Sequence, residues 1–168
     1  MKYKIKKLVK NGLKIGINVK VEKGVMIDSG FPYLITIGNN VTMAPHVQIL
    51  SHDASTKPFL NYTKLGRVNI GNNVFIGAKS IILPNVNIGN NVVIGAGSIV
   101  TKDIQDNVVV AGVPAKVICS LEEYLEKNKK NMSSEYMFNK EYTIKNITEE
   151  KKNEVIEKVN KHRTCYIL

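Results

Sequence analysis

The amino-acid sequence predicts a mainly β protein, built as a parallel β-helix of about five triangular coils. In the middle of the 168-residue chain an aliphatic residue recurs at every sixth position, at Ile70, Ile76, Ile82, Ile88, Ile94 and Val100. The pentapeptide IGNNV at 70–74 returns at 88–92, which gives a period of 18. Helices and single strands do not repeat at six. Three six-residue sides, however, close a triangle in which residues 18 apart stack at one strand spacing.

Two positions in each six-residue segment are expected to face the interior of the prism. One is the aliphatic position, and the other lies four residues later, at Val74, Ser80, Val86, Val92 and Ser98. Stacked side chains would form ladders, in which each fully buried Ile contributes roughly 1.5–3 kcal/mol. Gly and Asn follow the aliphatic position because a tight corner favours residues that tolerate positive φ.

Residues 1–14 precede the repeats and are predicted to form a basic, amphipathic N-terminal cap. Ile5, Leu8 and Val9 have the spacing of one helix face, which could cover the open end of the prism. Residues 1–24 contain eight lysines and the single acidic residue Glu22. These lysines either form a solvated face or make weak, salt-dependent contact with anionic lipid through Lys4, Lys6, Lys7 and Lys10. No nucleic-acid partner is expected, because no aromatic interleaving or nucleic-acid motif accompanies the lysines.

The repeats are predicted to occupy residues 15–118, with two interruptions. The step from Ile27 to Ile37 is ten residues, so a few extra residues around Phe31 must bulge outward. The step from Ile49 to Ile70 is 21, so a polar excursion loop near 51–69 leaves the coil. An inserted loop in a regular solenoid often marks its binding face.

Residues 119–168 are predicted to form a helical C-terminal extension. Ser120 and Glu123 have the spacing of a capping box for a helix over 121–130. Thr148 and the two glutamates after it begin a second helix, which reaches about residue 161. The polar segment between these helices matches no recognised motif.

The composition indicates a cytoplasmic protein, with peripheral contact at the inner face of the membrane as the alternative. No stretch approaches the roughly 20 apolar residues of a membrane span, and the start of the chain lacks the apolar core of a signal peptide. Cys119 and Cys165 are 46 positions apart and form no metal-binding or redox spacing. Free thiols are normal in a reducing compartment.

Three motifs carry a resemblance to a known family: SHD at 51–53, IGAGSIVTKDI at 94–104 and AGVPAKVI at 111–118. With these motifs, the chain from 15 to 118 resembles the hexapeptide-repeat acyltransferases, in particular the maltose, galactoside and polysaccharide O-acetyltransferases. The resemblance implies a left-handed β-helix. It also implies acetyl transfer from acetyl-CoA in a cleft between adjacent subunits of a homotrimer, with no metal required.

The acceptor side of the site is predicted to centre on His52, which matches the family's catalytic histidine. A base is needed because a sugar hydroxyl is a poor nucleophile while it carries its proton. Asp53 would bind an acceptor hydroxyl or stabilise the loop entrance, since its side chain points away from that of the adjacent His52. His46 lies one side of the triangle earlier, as an outward structural residue or as part of the acceptor site. No metal site is expected, because His46 and His52 should lie on neighbouring faces of the prism, and the third histidine, His162, lies far outside the repeats.

The coenzyme side is predicted from stacked small residues and from basic motif positions. Ala78 and Ala96 are 18 apart, so the pantetheine arm could approach the backbone there. By resemblance, the Ala78 N–H donates to the oxyanion and Lys116 meets a phosphate near the nucleotide. By the same resemblance, Thr101 and Lys102 contact CoA. The full predicted set is Gly77, Ala78, Ala96, Thr101, Lys102 and Lys116.

The predicted function is therefore acetyl-CoA-dependent O-acetylation of a sugar hydroxyl, in surface polysaccharide or nucleotide-sugar metabolism. One alternative is N-acetylation of an antibiotic or an amino sugar. A second alternative, of another class, is a non-catalytic β-helix that serves as a scaffold or binding subunit. The residues that would recognise the acceptor follow no spacing rule, so its identity stays open.

Overall fold

A computed structural model of the protein describes residues 2–132 and 134–168, including their side chains except at 2–4 and 134. The chain divides into two compact units, one ending at Glu122 and the other covering Glu123–Leu168. The first unit contains the β-helix, and the second is mainly helical. Among the described residues, no helix is long and apolar enough to cross a membrane.

Four complete coils of three short parallel strands form the β-helix, which follows helix α1 (Lys2–Lys10). The first two coils consist of β1 (Lys14–Ile15), β2 (Lys20–Val21), β3 (Met26–Ile27), β4 (Ile35–Ile37), β5 (Thr42–Met43) and β6 (Gln48–Ile49). An excursion then contains β7 (His52–Asp53), α2 (Lys57–Leu60) and β8 (Lys64–Leu65). The next two coils consist of β9 (Val68–Ile70), β10 (Phe75–Ile76), β11 (Ile81–Ile82), β12 (Val86–Ile88), β13 (Val93–Ile94) and β14 (Ile99–Val100). A partial fifth coil begins where Ile104 bridges to Ile88 and ends in a hairpin of β15 (Val108–Gly112) and β16 (Ala115–Ser120).

Equivalent strands stack into three parallel sheets, which are the sides of the prism. Sheet 1 has the order β1-β4-β9-β12, sheet 2 runs β2-β5-β10-β13-β15 with β16 outside it, and sheet 3 has the order β3-β6-β11-β14. Three edges separate these sheets. The asparagine edge, between sheets 1 and 2, includes Asn73; the alanine edge, between sheets 2 and 3, includes Ala78; the excursion edge, between sheets 3 and 1, includes His52.

The interior consists of the predicted ladders. All six aliphatic residues of the repeat between 70 and 100 are at most 3% exposed. The positions four residues later are also buried, including Ser80 and Ser98 at 0%. Both serine hydroxyls donate to the Gly95 carbonyl, at 3.0 and 2.6 Å respectively. The buried hydroxyls therefore have partners, as burial of polar groups requires.

The asparagine edge confirms the predicted positive φ for Asn at the corners, but the same reason is wrong for Gly. Gly38, Gly71 and Gly89 do not have positive φ. They instead leave room for the adjacent coil, since a Cβ on Gly71 would be 2.6 Å from the Gly89 carbonyl oxygen. One asparagine per coil has φ between 54° and 60°, at Asn18, Asn40, Asn73, Asn91 and Asn107. Their side-chain amides form a ladder along the edge, each donating to the next at 2.9–3.1 Å. Asn tolerates the left-handed conformation better than most residues, so one residue type supplies both the turn and the contact between coils.

The two interruptions of the repeat lie where the sequence predicts them. The extra residues after Ile27 include a short 3₁₀ helix at Pro32–Leu34. The second interruption is the excursion between β6 and β9, which is anchored by the antiparallel pairing of β7 with β8.

The N-terminal helix covers the first coil with only part of its predicted apolar face. Leu8 is 9% exposed and belongs to the core, and Ile5 packs against that core. Val9, predicted on the same face, is 45% exposed. Consecutive helical residues are about 100° apart around the axis, so Leu8 and Val9 cannot both point at a small contact surface. The side chain of Lys4, one of the predicted lipid-contacting lysines, lies outside the described residues.

In the second unit, the two predicted helices are α3 (Leu121–Asn131), which begins just before the unit boundary, and α4 (Glu149–His162). The Thr148 side chain caps α4 by accepting from the Lys151 N–H at 3.3 Å. The segment between the helices contains two 3₁₀ turns, at Ser134–Tyr136 and Lys140–Tyr142. It also contains β17 (Met137–Phe138), which pairs with β18 (Tyr166–Ile167).

Candidate active site

His52 lies on the first strand of the excursion hairpin. In the antiparallel register, His52 is opposite Leu65, and Asp53 is opposite Lys64. The Gly66 N–H also bonds to the Ser51 carbonyl at 2.9 Å, at the base of the hairpin. The backbone of His52 is therefore fixed by the hairpin at the excursion edge rather than by a free loop.

The imidazole of His52 forms a close pair with the carboxylate of Asp28. The distance from His52 Nδ1 to Asp28 Oδ2 is 2.5 Å, and the Asp28 side chain is only 3% exposed. An ionised carboxylate accepts only, so Nδ1 carries the proton in this pair. Nε2 of the neutral ring is then the proton acceptor, and it lies on a side chain that is 39% exposed.

Asp28 is itself held by three further hydrogen bonds. Its Oδ2 accepts from the Ser51 N–H at 3.0 Å and from the Ser51 hydroxyl at 2.8 Å. Its Oδ1 accepts from the Gly30 N–H at 2.9 Å. Burial alone would raise the pKa of Asp28, but the bonds from Ser51, His52 and Gly30 together lower this pKa from 3.8 to about 2. Asp28 is therefore a carboxylate at neutral pH, fixed in place beside the imidazole.

An aromatic ring borders the same histidine. The Phe31 ring lies 5.4 Å from the His52 ring, in an edge-on arrangement, and it also contacts Tyr33. Phe31 and Tyr33 belong to the extra residues between β3 and β4. The two interruptions of the repeat thus meet at one place, where Asp28 and Phe31 from the first orient the imidazole from the second.

Asp53 is engaged with the hairpin. Its carboxylate pairs with the Lys64 ammonium at 2.5 Å and accepts from the Ser55 N–H at 2.8 Å. The hydrogen bond from Lys64 is the main reason that the pKa of Asp53 falls to about 2. Of the two roles predicted for Asp53, these contacts match stabilisation of the loop entrance.

His46 lies on a different edge from His52. It is an exposed corner residue of the alanine edge, with φ of 63°, and its ring lies directly over Gly24. A Cβ on Gly24 would be 2.4 Å from His46 Nδ1, so the glycine leaves room for this ring. No group of three or more His, Cys, Asp or Glu that could hold a metal occurs within residues 2–132 and 134–168.

The small residues predicted for the coenzyme stack on the alanine edge. Gly77 stacks against Ala96, because a Cβ on Gly77 would be 2.4 Å from the Ala96 nitrogen. The Gly97 N–H bonds to the Ala78 carbonyl at 2.8 Å. Within the described part of the chain, the Ala78 N–H donates no hydrogen bond. A free backbone donor therefore lies beside exposed Ala96 on this edge.

The remaining predicted residues are exposed at other places on the prism. Thr101 and Lys102 follow β14, so they lie on the excursion edge, two coils above His52, which follows β6. Lys116 is exposed on β16, opposite Ala111 in the closing hairpin. One chain thus does not bring His52 and Ala78 together. Their edges are separated by one side of a triangular coil, which is roughly 20 Å long for six residues with the rise per residue of a β-strand.

Sequence reasoning missed Asp28. The available signal was its register: Ile27 pairs with Ile49, so Asp28 follows the strand next to the one that leads into SHD. A carboxylate at this position, followed by the extra residues of the first interruption, could have been assigned as the partner of His52.

Comparison with known proteins shows the family. Residues 67–102 match the family model described as bacterial transferase hexapeptide (six repeats). Protein CapG of Staphylococcus aureus is 46% identical over 136 residues, which are 79% of this chain and 74% of CapG.

Two solved structures have the same architecture. A hexapeptide-repeat acetyltransferase from Vibrio cholerae, solved in complex with acetyl-coenzyme A, aligns with a TM-score of 0.59 at 29% identity, covering 66% of this chain and 61% of that one. A maltose O-acetyltransferase from Clostridium difficile aligns with a TM-score of 0.55 at 33% identity, covering 70% of this chain and 75% of that one. The chain therefore belongs to the hexapeptide-repeat acetyltransferases, and its prism is the left-handed parallel β-helix of that family.

Proposed function

We propose that the protein transfers an acetyl group from acetyl-CoA to a hydroxyl of a sugar, with His52 as the general base. The observation that carries this proposal is the pair of Asp28 and His52, in which Nδ1 is used and Nε2 is open. A carboxylate fixes the tautomer of the imidazole and stabilises the imidazolium that forms when the base accepts a proton. A solvated, purely structural histidine needs no such buried partner.

In the proposed reaction, His52 Nε2 removes the proton of the acceptor hydroxyl as its oxygen attacks the thioester carbonyl of acetyl-CoA. The tetrahedral intermediate then collapses, the carbon–sulfur bond breaks, and the imidazolium returns its proton to the thiolate of CoA. The products are the acetyl ester and free CoA. General base catalysis of this kind contributes roughly 10²- to 10⁴-fold.

The Ala78 N–H is the proposed donor to the oxyanion of the intermediate. Its lack of an internal partner among the described residues supports this role, since a donor fixed in advance stabilises developing charge. Ala96 keeps the approach to this N–H open, and Lys102 and Lys116 are proposed to contact the phosphates of the coenzyme.

The proposed site requires a homotrimer, in which His52 of one copy faces the alanine edge of the next. Two observations support this assembly. First, His52 and Ala78 lie on different edges of one prism. Second, the excursion carries exposed apolar side chains, with Phe59 84%, Leu60 63% and Tyr62 79% exposed. Apolar groups of this size on an ordered arm are typical of a surface that another chain covers.

A sugar acceptor is supported by the likeness to the maltose O-acetyltransferase. The proposal is tested by measuring release of the CoA thiol from acetyl-CoA with free sugars, oligosaccharides, nucleotide sugars and aminated antibiotics. A sugar is expected to give the highest rate. His52→Ala is expected to lower this rate at least about a hundredfold, while affinity for CoA changes little. Near-full activity of His52→Ala would remove His52 from the mechanism.

A further inference from the structure

The first unit contains a cavity that the proposed chemistry does not use. It lies between α1 and the first coil, and its volume is about 520 Å³. This volume is in the range of small-molecule sites, roughly 300–1,000 Å³. Ile5 and Leu8 of the helix and Val25 and Met26 of the coil line its apolar part. The cavity exists because α1 covers the open end of the prism only in part.

Lys7 is the charged residue of the cavity lining, which also contains the polar residues Asn11 and Ser29. Lys7 is exposed and takes part in no ion pair within the described part of the chain. Residues 1–24 contain eight lysines and one glutamate, so this part of the chain is strongly basic. An occupant with an apolar body and an anionic group would match both parts.

The cavity also adjoins the proposed catalytic pair. Ile27 and Ser29 both belong to its lining, and the residue between them is Asp28, whose carboxylate holds His52. A molecule in the cavity that extends past Ser29 would thus reach the excursion edge beside the proposed base.

We propose that this cavity, the cap groove, binds the apolar chain of the acceptor, and that Lys7 binds a phosphate through which that chain is attached to the sugar. The acceptor is then an amphiphile, a sugar linked by phosphate to a prenyl or alkyl chain, rather than a free sugar. This inference rests on the proposed function, and it names the acceptor class of the same site.

The test is direct binding of three probes by calorimetry: farnesyl phosphate, farnesol and inorganic phosphate. Farnesyl phosphate is expected to bind at least about tenfold more tightly than either of the others, because it alone engages both the apolar lining and Lys7. Equal affinity for farnesol and farnesyl phosphate, or no binding of farnesyl phosphate, would overturn the proposal.

Two pairs of matched variants locate the binding. Lys7→Glu should weaken farnesyl phosphate binding at least about fivefold, and Lys10→Glu, the same charge change on the same helix outside the lining, by less than about twofold. Met26→Glu should also weaken it at least about fivefold, whereas Ile17→Glu, at an exposed position away from the groove, should not. Since Met26 is 55% and Ile17 71% exposed, both variants are expected to fold. Equal losses of affinity within either pair would mean that the ligand is attracted by the general charge of the surface, and would overturn binding in the cap groove.

Failure of this inference is distinguishable from failure of the proposed function. Binding needs no proton transfer, so His52→Ala should bind farnesyl phosphate as the unchanged protein does. Loss of acetyl transfer in His52→Ala without any farnesyl phosphate binding would retain the proposed base and overturn the groove. Binding of farnesyl phosphate in the cap groove together with full activity of His52→Ala would support the groove as a binding site and overturn the role of His52 as the base.

Discussion

Replacing Asp28 by Asn tests the pair that carries the proposed chemistry. The carboxylate makes four contacts: Oδ2 accepts from Ser51 N, Ser51 Oγ and His52 Nδ1, and Oδ1 accepts from Gly30 N. Asn keeps the shape but has one acceptor oxygen and no charge. If that oxygen faces Ser51 and His52, the new NH₂ group faces the Gly30 N–H, which leaves two donors opposed.

The loss of charge sets the size of the effect on catalysis. A hydrogen bond to a charged group contributes about 1.5–3 kcal/mol, roughly 1–2 kcal/mol more than a neutral bond. If this difference of about 1–2 kcal/mol is expressed in full in the transition state, which contains the imidazolium, its loss lowers kcat by about 5- to 25-fold at about 1.4 kcal/mol per tenfold. The KM for acetyl-CoA should change by less than about twofold, because the Asp28 carboxylate bonds to Ser51, His52 and Gly30, none of which is proposed to bind the coenzyme.

The assay is release of the CoA thiol with the acceptor that gives the highest rate. The matched control is Asp106→Asn, since the Asp106 carboxylate also accepts a backbone bond, from Asn90 N at 2.7 Å, but lies on the asparagine edge. Its kcat should be unchanged. In the His52→Ala background, Asp28→Asn should cause no further loss, because the two residues act as a unit. Multiplied losses in the double variant, or more than half of the kcat retained in Asp28→Asn, would refute the role of Asp28.

The remaining predictions concern stability. The pKa of Asp28 is lowered in the fold from 3.8 to about 2, so its contribution, about 2 kcal/mol, is fully present above about pH 4 and is lost as the pH falls toward 2. Urea unfolding between pH 4 and 2 should show a loss of stability that is about 2 kcal/mol smaller in Asp28→Asn than in the unchanged protein, and equal losses in both would contradict the pKa. Gly77→Ala should lower the unfolding free energy by about 1–3 kcal/mol, because the new Cβ would be 2.4 Å from the Ala96 nitrogen. In Gly30→Ala the nearest atom would be 3.4 Å away, an ordinary contact, so stability should change by less than about 0.5 kcal/mol; equal effects at Gly77 and Gly30 would contradict the close stacking of the coils.

Much of the prism could be predicted because its determinants are local and repeated. The step of six fixes which side chains, such as Ile76 and Ser80, point inward, and each corner asparagine specifies its own turn. The capped start of α4 after Thr148 was also readable, since a cap involves residues only a few positions apart.

The features that the sequence did not reveal depend on distant residues. Asp28 and His52 are 24 positions apart and meet only because two interruptions of the repeat fall at the same edge. The pairing of Met137–Phe138 with Tyr166–Ile167 joins two-residue strands that carry no periodicity. The exposure of Val9 depends on how α1 lies on the first coil, which its own spacing does not determine.

The central claim is that His52 of one subunit works with the alanine edge of the next, and mixed trimers test it most directly. His52→Ala removes the base, and Ala96→Trp places a bulky side chain where the pantetheine arm is proposed to pass. Each variant alone should be inactive. In trimers assembled at random from equal amounts, a competent cleft takes His52 from an Ala96→Trp copy and an open edge from a His52→Ala copy.

Half of the copies retain His52 and the other half retain an open alanine edge. A cleft needs one of each in the right order, so about a quarter of the clefts should be complete. The measurement is the rate of CoA thiol release before and after the two variants are unfolded together and reassembled. Recovery of about a quarter of the activity of the unchanged protein is the predicted result. A mixture that stays as inactive as its separate components would contradict a site shared between subunits.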